Sequence, residues 1–332
     1  PWWKRIWVWL IIIIIASPIV ADVALRLSVG LGTPLLYRSD PDAGYIVAPS
    51  QNVYRLFCHN DINQFSMRSP AVQTPKPKGE YRILFVGDSV TYGTTFVDQP
   101  EIFTSLLDQQ LPNLLHRPVE VLNASAGGWA VGNELGYLRT RGTFDSNIVF
   151  FVINTGDLTQ PFAESPVDLS PGFPSHDPTC ALSELFERYL LPRLRHQSVA
   201  DPGSTATTQP DIAHETPDVL NMLGKADKIA IDAGAKFTIV YTPAVGPDWA
   251  GLGPALKMLE DWCKSHSIDL INIAPLVSDL PEDQIYFPAG HIHFRPKGHV
   301  IIAKAIADYL QRTLREKSTA RPATQPAGSS LH

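Results

Sequence analysis

The stretch "NIVFFVIN", residues 147–154, is an unbroken apolar run between two asparagines. A run so short and so uniformly β-branched and aromatic reads as a strand covered on both faces, which places it in the middle of a parallel sheet. A middle strand needs partners. "YRILFV" (81–86) and "VEVLN" (119–123) precede it, and "KFTIVYTPA" (236–244) and "DLINI" (269–273) follow it. Between them lie segments with helical spacing: "EIFTSLLDQQL" (101–111), "GNELGYLRTRG" (132–142), "DVLNMLGKADKIAIDAG" (218–234) and "GPALKMLEDWCKSHS" (253–267). "PKGHVIIAKAIADYLQRTL" (296–314) closes the series as a long amphipathic helix. Strand then helix, repeated, predicts an α/β architecture, a doubly wound parallel sheet of about five strands with helices on both faces. Ligands of such sheets bind outside the carboxyl ends of the strands.

The amino end constrains location. "PWWKRIWVWLIIIIIASPIVADVALRL" sets Lys4 and Arg5 before an uninterrupted apolar run from Ile6 to Ala16, and apolar character resumes after Ser17 and Pro18 as far as Asp22. Crossing a bilayer takes about 20 residues. Two readings compete: a signal peptide removed after export, or an uncleaved signal anchor. A small-x-small cleavage site is poorly formed around Ile19 and Ala21, which favours an anchor, a transmembrane helix over residues 1–29. In both cases the basic flank stays in the cytoplasm and the body lies outside the inner membrane. Residues 30–78 are rich in Pro, Asp, Ser and Asn and read as an irregular extension with two short strands, ending in the linker "TPKPKG" (74–79). The body, 79–316, carries an insertion, 161–215. It holds a helix, "ALSELFERYLL" (181–191), and a polar stretch, "SVADPGSTATTQPD" (198–211), whose composition cannot bury a core. The tail, 317–332, is similar and reads as disordered.

A hydrophobic content of 44% against 18% charged residues fits a folded body, and a net charge of −6 without any lysine- or arginine-dense run argues against nucleic acid as a partner. Cys58, Cys180 and Cys263 lie far apart and form no CxxC or Cys/His metal pattern. One disulfide with a spare thiol is possible, and three unpaired thiols are the better reading.

Polar residues able to do chemistry fall at the strand ends. Ser89 follows the first strand in "FVGDSVTYG" (85–93), and Gly127 and Gly128 follow the second in "NASAGG" (123–128). Asn154 and Asp157 follow the third in "INTGDL" (153–158), while His291 and His293 stand in "AGHIHFRPKGH" (289–299) before the last helix. A serine hydroxyl is a weak nucleophile until an imidazole takes its proton. The tetrahedral oxyanion that follows needs preorganised donors, which backbone N–H groups of glycine-bearing turns provide. Each residue also has a plainer role open to it. Ser89 could close a loop, and His293 could lie on the surface beside the last helix. Asp88 reads as a cap of the turn through backbone N–H groups. His291 reads as a neighbour of the site, a substrate contact or a solvent-exposed bystander. His291-x-His293 lacks a third ligand, which argues against a metal. Packing accounts for His299, and Trp129 is a packing residue or a wall of the site.

These blocks resemble those of the SGNH (GDSL-type) hydrolase superfamily, in which four short blocks supply Ser, Gly, Asn and His. The resemblance covers about residues 79–315. It implies a flavodoxin-like doubly wound sheet, the SGNH hydrolase fold, with no cofactor. Ser89 would be the nucleophile, His293 the general base, and the backbone N–H groups of Ser89 and Gly128 the oxyanion donors. The anchored layout and "NQFSMRSP" (63–70) are similar to extracytoplasmic members. Two departures stand out. The family's third block places an oxyanion-binding Asn immediately before its Asp, where this chain has Gly156 before Asp157. Asn154 shares the parity of that position but is set back by about 6–7 Å of strand, so it replaces the donor only if the strand bulges or ends early. Loss of one donor typically costs about 10²–10³-fold in rate. The family also carries an Asp two or three residues before its His, where this chain has Gly290 and His291. Orientation of His293 then falls to a backbone carbonyl or to an acid elsewhere, such as Asp283 or Glu282. The implied function is a serine esterase or acyl-transferring hydrolase acting on O-acyl esters, with carbohydrate O-acetyl groups suggested by location and resemblance. The two departures motivate the alternative, a non-catalytic glycan- or partner-binding relative with a degenerate site.

Overall fold

The computed structural model describes residues 2–194, 211–288 and 292–319. The expected polar stretch at 198–211 (apart from Asp211), the end of the tail at 320–332, and Gly290 with His291 lie outside them.

Helix α1, Trp2–Val29, opens the chain. Within Arg5–Val29 the most apolar window has a mean hydropathy of 2.5 and none of it is buried, so by length and composition the helix is able to cross a membrane. Four short strands follow: β1 (Tyr37–Asp40) pairs antiparallel with β2 (Gly44–Val47), and β3 (Gln51–Arg55) with β4 (Cys58–Ile62). The segment 30–78 therefore holds two hairpins, four short strands where two are expected. It also belongs to the core: Tyr37, Tyr45, Ile46, Val47, Val53 and Met67 are buried in the same cluster as one face of the main sheet. The helix joins this layer without slack. Val29 O accepts from Leu56 N, and Arg26 donates to Gly32 O. Gly30, at φ +71°, lies so close to the Tyr54 carbonyl that a Cβ would collide with it.

The main sheet has five parallel strands, each where the apolar runs predict it: β5 (Tyr81–Gly87), β6 (Val119–Ser125), β7 (Ile148–Asn154), β8 (Lys236–Thr242) and β9 (Asp269–Asn272). The spatial order is β6-β5-β7-β8-β9, with every neighbouring pair parallel. Counted within the sheet this is 2-1-3-4-5, the flavodoxin-like order, whose topological switch point lies between β5 and β7. Side chains alternate between the faces with period two. Leu84, Val86, Val149, Phe151 and Ile153 pack on one side with α4 (Val131–Arg141), α5 (Ile212–Asp232) and α6 (Gly253–His266). Ile83, Phe85, Ile148, Phe150 and Val152 pack on the other side with α3 (Phe103–Leu115) and α7 (Pro296–Thr319). Both faces are covered, which is why β7 is apolar throughout. Cys58, Cys180 and Cys263 are free thiols.

Candidate active site

β5 runs straight into α2 (Ser89–Tyr92), a single helical turn. Asp88 caps it, its Oδ1 accepting from Val90 N at 2.8 Å. Ser89 is the first residue of the turn, so its backbone N–H has no acceptor within the helix. Gly93 ends the turn at φ +85°. The loop beyond is held by Arg68, a fully buried side chain from the "NQFSMRSP" segment. All five of its N–H groups are engaged: Nε with Gln99 Oε1, Nη1 with the carbonyls of Tyr92 and Thr94, and Nη2 with those of His59 and Val97.

His293 comes from the far end of the chain. Its backbone is set by a short antiparallel pairing in which Phe287 N donates to His293 O and Arg295 N to Ile285 O. The ring reaches over the switch point, and Nε2 lies 2.8 Å from Ser89 Oγ. Residues separated by about two hundred positions in sequence are thus in hydrogen-bond contact. Glu282 and Asp283, the acids considered as partners of His293, are both exposed on the turn Glu282–Ile285.

After β6 the chain turns at Gly127–Gly128, with Gly128 in the left-handed region at φ +74°. Tyr45 Oη donates to Gly127 O at 2.8 Å, and Trp129 Nε1 donates to Tyr45 O at 2.8 Å. Trp129 is buried, a packing residue. Tyr37, Tyr45 and Phe173 pack against one another beside this turn. The hairpin layer and the insertion therefore shape one wall of the site.

β7 does end early, at Asn154, but not so as to offer a new oxyanion donor. Asn154 Nδ2 donates to Asp88 Oδ2 and to Asp157 Oδ2, both at 2.8 Å, while its Oδ1 accepts from Gly156 N. Both amide hydrogens are directed at carboxylates, so the expectation that Asn154 contributes to an oxyanion hole gives way to a bridging role. Gly156 gains no help from a side chain either: a Cβ there would stand 3.0 Å from the Trp249 indole. A hydrogen-bonded chain runs Asp157–Asn154–Asp88–Ser89–His293, its weakest link being Ser89 Oγ to Asp88 Oδ2 at 3.3 Å.

A third buried acid adjoins this chain. Glu134, on α4, is wholly inaccessible, and among the described residues both its carboxyl oxygens lack a hydrogen-bond partner. Burial pushes Asp88, Asp157 and Glu134 above the ordinary carboxyl range. The charge of Asp88 adds to the rise at Asp157, and both Asp157 and Asp88 add to it at Glu134. Donors from Val90, Ser89 and Asn154, with the nearby His293, pull Asp88 back down. Three carboxyls in one dry region do not all ionise together, and Asp88 has the most donors to offset a charge. His299 accepts from Phe103 N through Nδ1, and burial pushes it down to about 3. It is a neutral packing residue. Among the described residues no group of His, Cys, Asp and Glu is arranged to hold a metal ion.

Arg68 and Glu134 escape a motif-based reading. Glu134 has a sequence signal nonetheless, because it shares an α4 face with Val131, Tyr137 and Leu138, all buried. An acid on an apolar helix face is a visible anomaly.

No family model and none of the curated proteins matches this chain. Solved structures do. A lipase/acylhydrolase from Enterococcus faecalis is 13% identical, with 70% of this chain and 96% of that one covered at a TM-score of 0.47. The psychrotrophic esterase EstA from Pseudoalteromonas sp. is 16% identical, with 70% and 98% covered at 0.42. A catalytic mutant of an acetylxylan esterase from Geobacillus stearothermophilus is 12% identical, with 69% and 93% covered at 0.42. At such distances the reaction has to be argued from this chain's own residues.

Proposed function

We propose that the chain is a serine ester hydrolase of the SGNH (GDSL-type) superfamily, anchored by α1 with its catalytic body outside the inner membrane. One observation carries this reading: the 2.8 Å contact between Ser89 Oγ and His293 Nε2, formed at the switch point of the sheet. In this mechanism Ser89 Oγ attacks the ester carbonyl while His293 takes the hydroxyl proton. The C–O bond of the tetrahedral intermediate then breaks, and the imidazolium returns that proton to the leaving alcohol. Water or an acceptor alcohol, deprotonated by His293, attacks the acyl-serine and frees Ser89. Backbone N–H groups of Ser89 and Gly128 hold the oxyanion. The Asp88 carboxylate supports the imidazolium electrostatically, the part that an acid before the histidine would otherwise play. No step calls for a metal or organic cofactor. Carbohydrate O-acetyl esters are the substrate class we infer, from the extracytoplasmic placement and the family resemblance.

The test is labelling of the purified full-length protein by a fluorophosphonate probe. Labelling and p-nitrophenyl acetate turnover should both vanish in Ser89→Ala. Turnover that survives this substitution, with no labelling of the wild type, would leave a binding protein in place of an enzyme.

A further inference from the structure

The insertion contains a helical segment, 181–194, that is amphipathic the wrong way round for a water-facing helix. Its middle turn, Leu185–Leu190, is wound i→i+5. Its polar side faces the protein. Glu184 is buried, pairs with Arg55, and accepts from Gly32 N at 2.6 Å. Arg188 reaches Glu184 at 3.6 Å, and Tyr189 Oη accepts from Arg55 at 3.0 Å. These polar links fix the rotation of the helix. The outward side carries Phe186, Leu190 and Leu194, spaced four residues apart and 50%, 42% and 70% exposed, with Glu187 at its border. A surface helix of a water-soluble domain hides its apolar stripe and solvates its charges.

What covers the stripe is indicated by where the helix is docked. Asp22, near the end of α1, accepts from Leu182 N and from Arg26 Nε. The segment is thus locked to the membrane-competent helix just beyond its uncharged run Ile6–Ala21. The uncharged run Ile6–Ala21 is about 24 Å long at 1.5 Å per residue, against about 30 Å of hydrocarbon. A bilayer thins around so short an apolar run, which leaves whatever is fixed at its end close to the headgroup layer.

We propose that residues 181–194 lie in the headgroup–acyl boundary of the phospholipid bilayer that α1 crosses, with Phe186, Leu190 and Leu194 among the acyl chains. This rests on α1 being a retained anchor, and the experiment separates the two claims. The full chain, with Cys58→Ser, Cys180→Ser and Cys263→Ala, is reconstituted in phosphatidylethanolamine/phosphatidylglycerol nanodiscs and spin-labelled singly at Leu190→Cys, Phe186→Cys, Ile13→Cys or Lys228→Cys. Circular dichroism melting confirms the fold of each variant. Labels at 186 and 190 should be relaxed by oxygen several-fold more than by a water-soluble nickel chelate, as at 13 and opposite to 228. If 186 and 190 behave like 228 while 13 reads as lipid, the docking is wrong and the anchor stands. If 13 also reads as aqueous, both fall. Shielding of 186 and 190 from both relaxants would mean protein covers the stripe, and would overturn the proposal.

Discussion

Ser89 has one hydroxyl hydrogen and two acceptors within reach, His293 Nε2 at 2.8 Å and Asp88 Oδ2 at 3.3 Å. The shorter contact favours the productive direction, and Asn154 strengthens that preference by occupying Asp88 Oδ2 as a donor. This gives Asn154 a signature distinct from an oxyanion donor. A hydrogen bond to a charged group is worth about 1.5–3 kcal/mol, and one pKa unit corresponds to about 1.4 kcal/mol. Asn154→Ala should therefore raise the Asp88 pKa, so that more activity is lost on the acid side of the kcat/KM profile than on the alkaline side. A residue that only bound the oxyanion would lower activity by the same factor at every pH. Measuring the profile from pH 4 to 9 decides between them.

At the scale of elements, the loop after α2 depends on one guanidinium. Arg68, itself almost wholly buried, satisfies four backbone carbonyls and a glutamine oxygen, and burial pushes its own pKa down. Lysine brings three donors in place of five, and methionine none. Arg68→Met should destabilise the fold by about 3–5 kcal/mol and Arg68→Lys by somewhat less, read by urea denaturation. The contrast between legible and illegible elements has a physical basis. The five sheet strands and their helices were readable because burial on two faces leaves a continuous apolar run, a local signal. The turn bearing Ser89 and the segment bearing His293 were readable because strand ends and helix starts are marked by glycine and polar residues. The hairpins were only partly so: two short strands are expected there, but strands of four or five mostly polar residues such as "YRSD" and "CHNDI" carry no apolar alternation to mark them. Nor could Arg68 be assigned, because its acceptors are backbone carbonyls that no residue type advertises. The displacement of Asn154 from the oxyanion depends on a carboxylate reaching across from the neighbouring strand.

At the scale of the whole molecule, the buried titratable groups set opposing slopes in stability against pH. Glu134 is raised above its ordinary value of 4.5, so its contribution is full below that pH and is lost as pH rises through the folded value. His299 is lowered from 6.5 to about 3, so its contribution is present above 6.5 and is lost as pH falls toward 3. Glu134→Gln should therefore raise Tm at pH 7.5 by several degrees and have little effect near pH 4. His299→Gln should flatten the acid side of the curve. Thermal melts across pH 3.5–8 report both.

The junction at Gly30 has a consequence of its own. With Val29 bonded to Leu56 and Gly30 pressed against Tyr54, no flexible leash separates α1 from the body. A protein mounted this way cannot swing on a tether to reach a distant polymer. On the proposed reading that α1 stays in the membrane, the serine works at one fixed altitude above the lipid, and any target further out must be brought down to that plane. Lateral diffusion in the membrane would then govern how often enzyme and target meet.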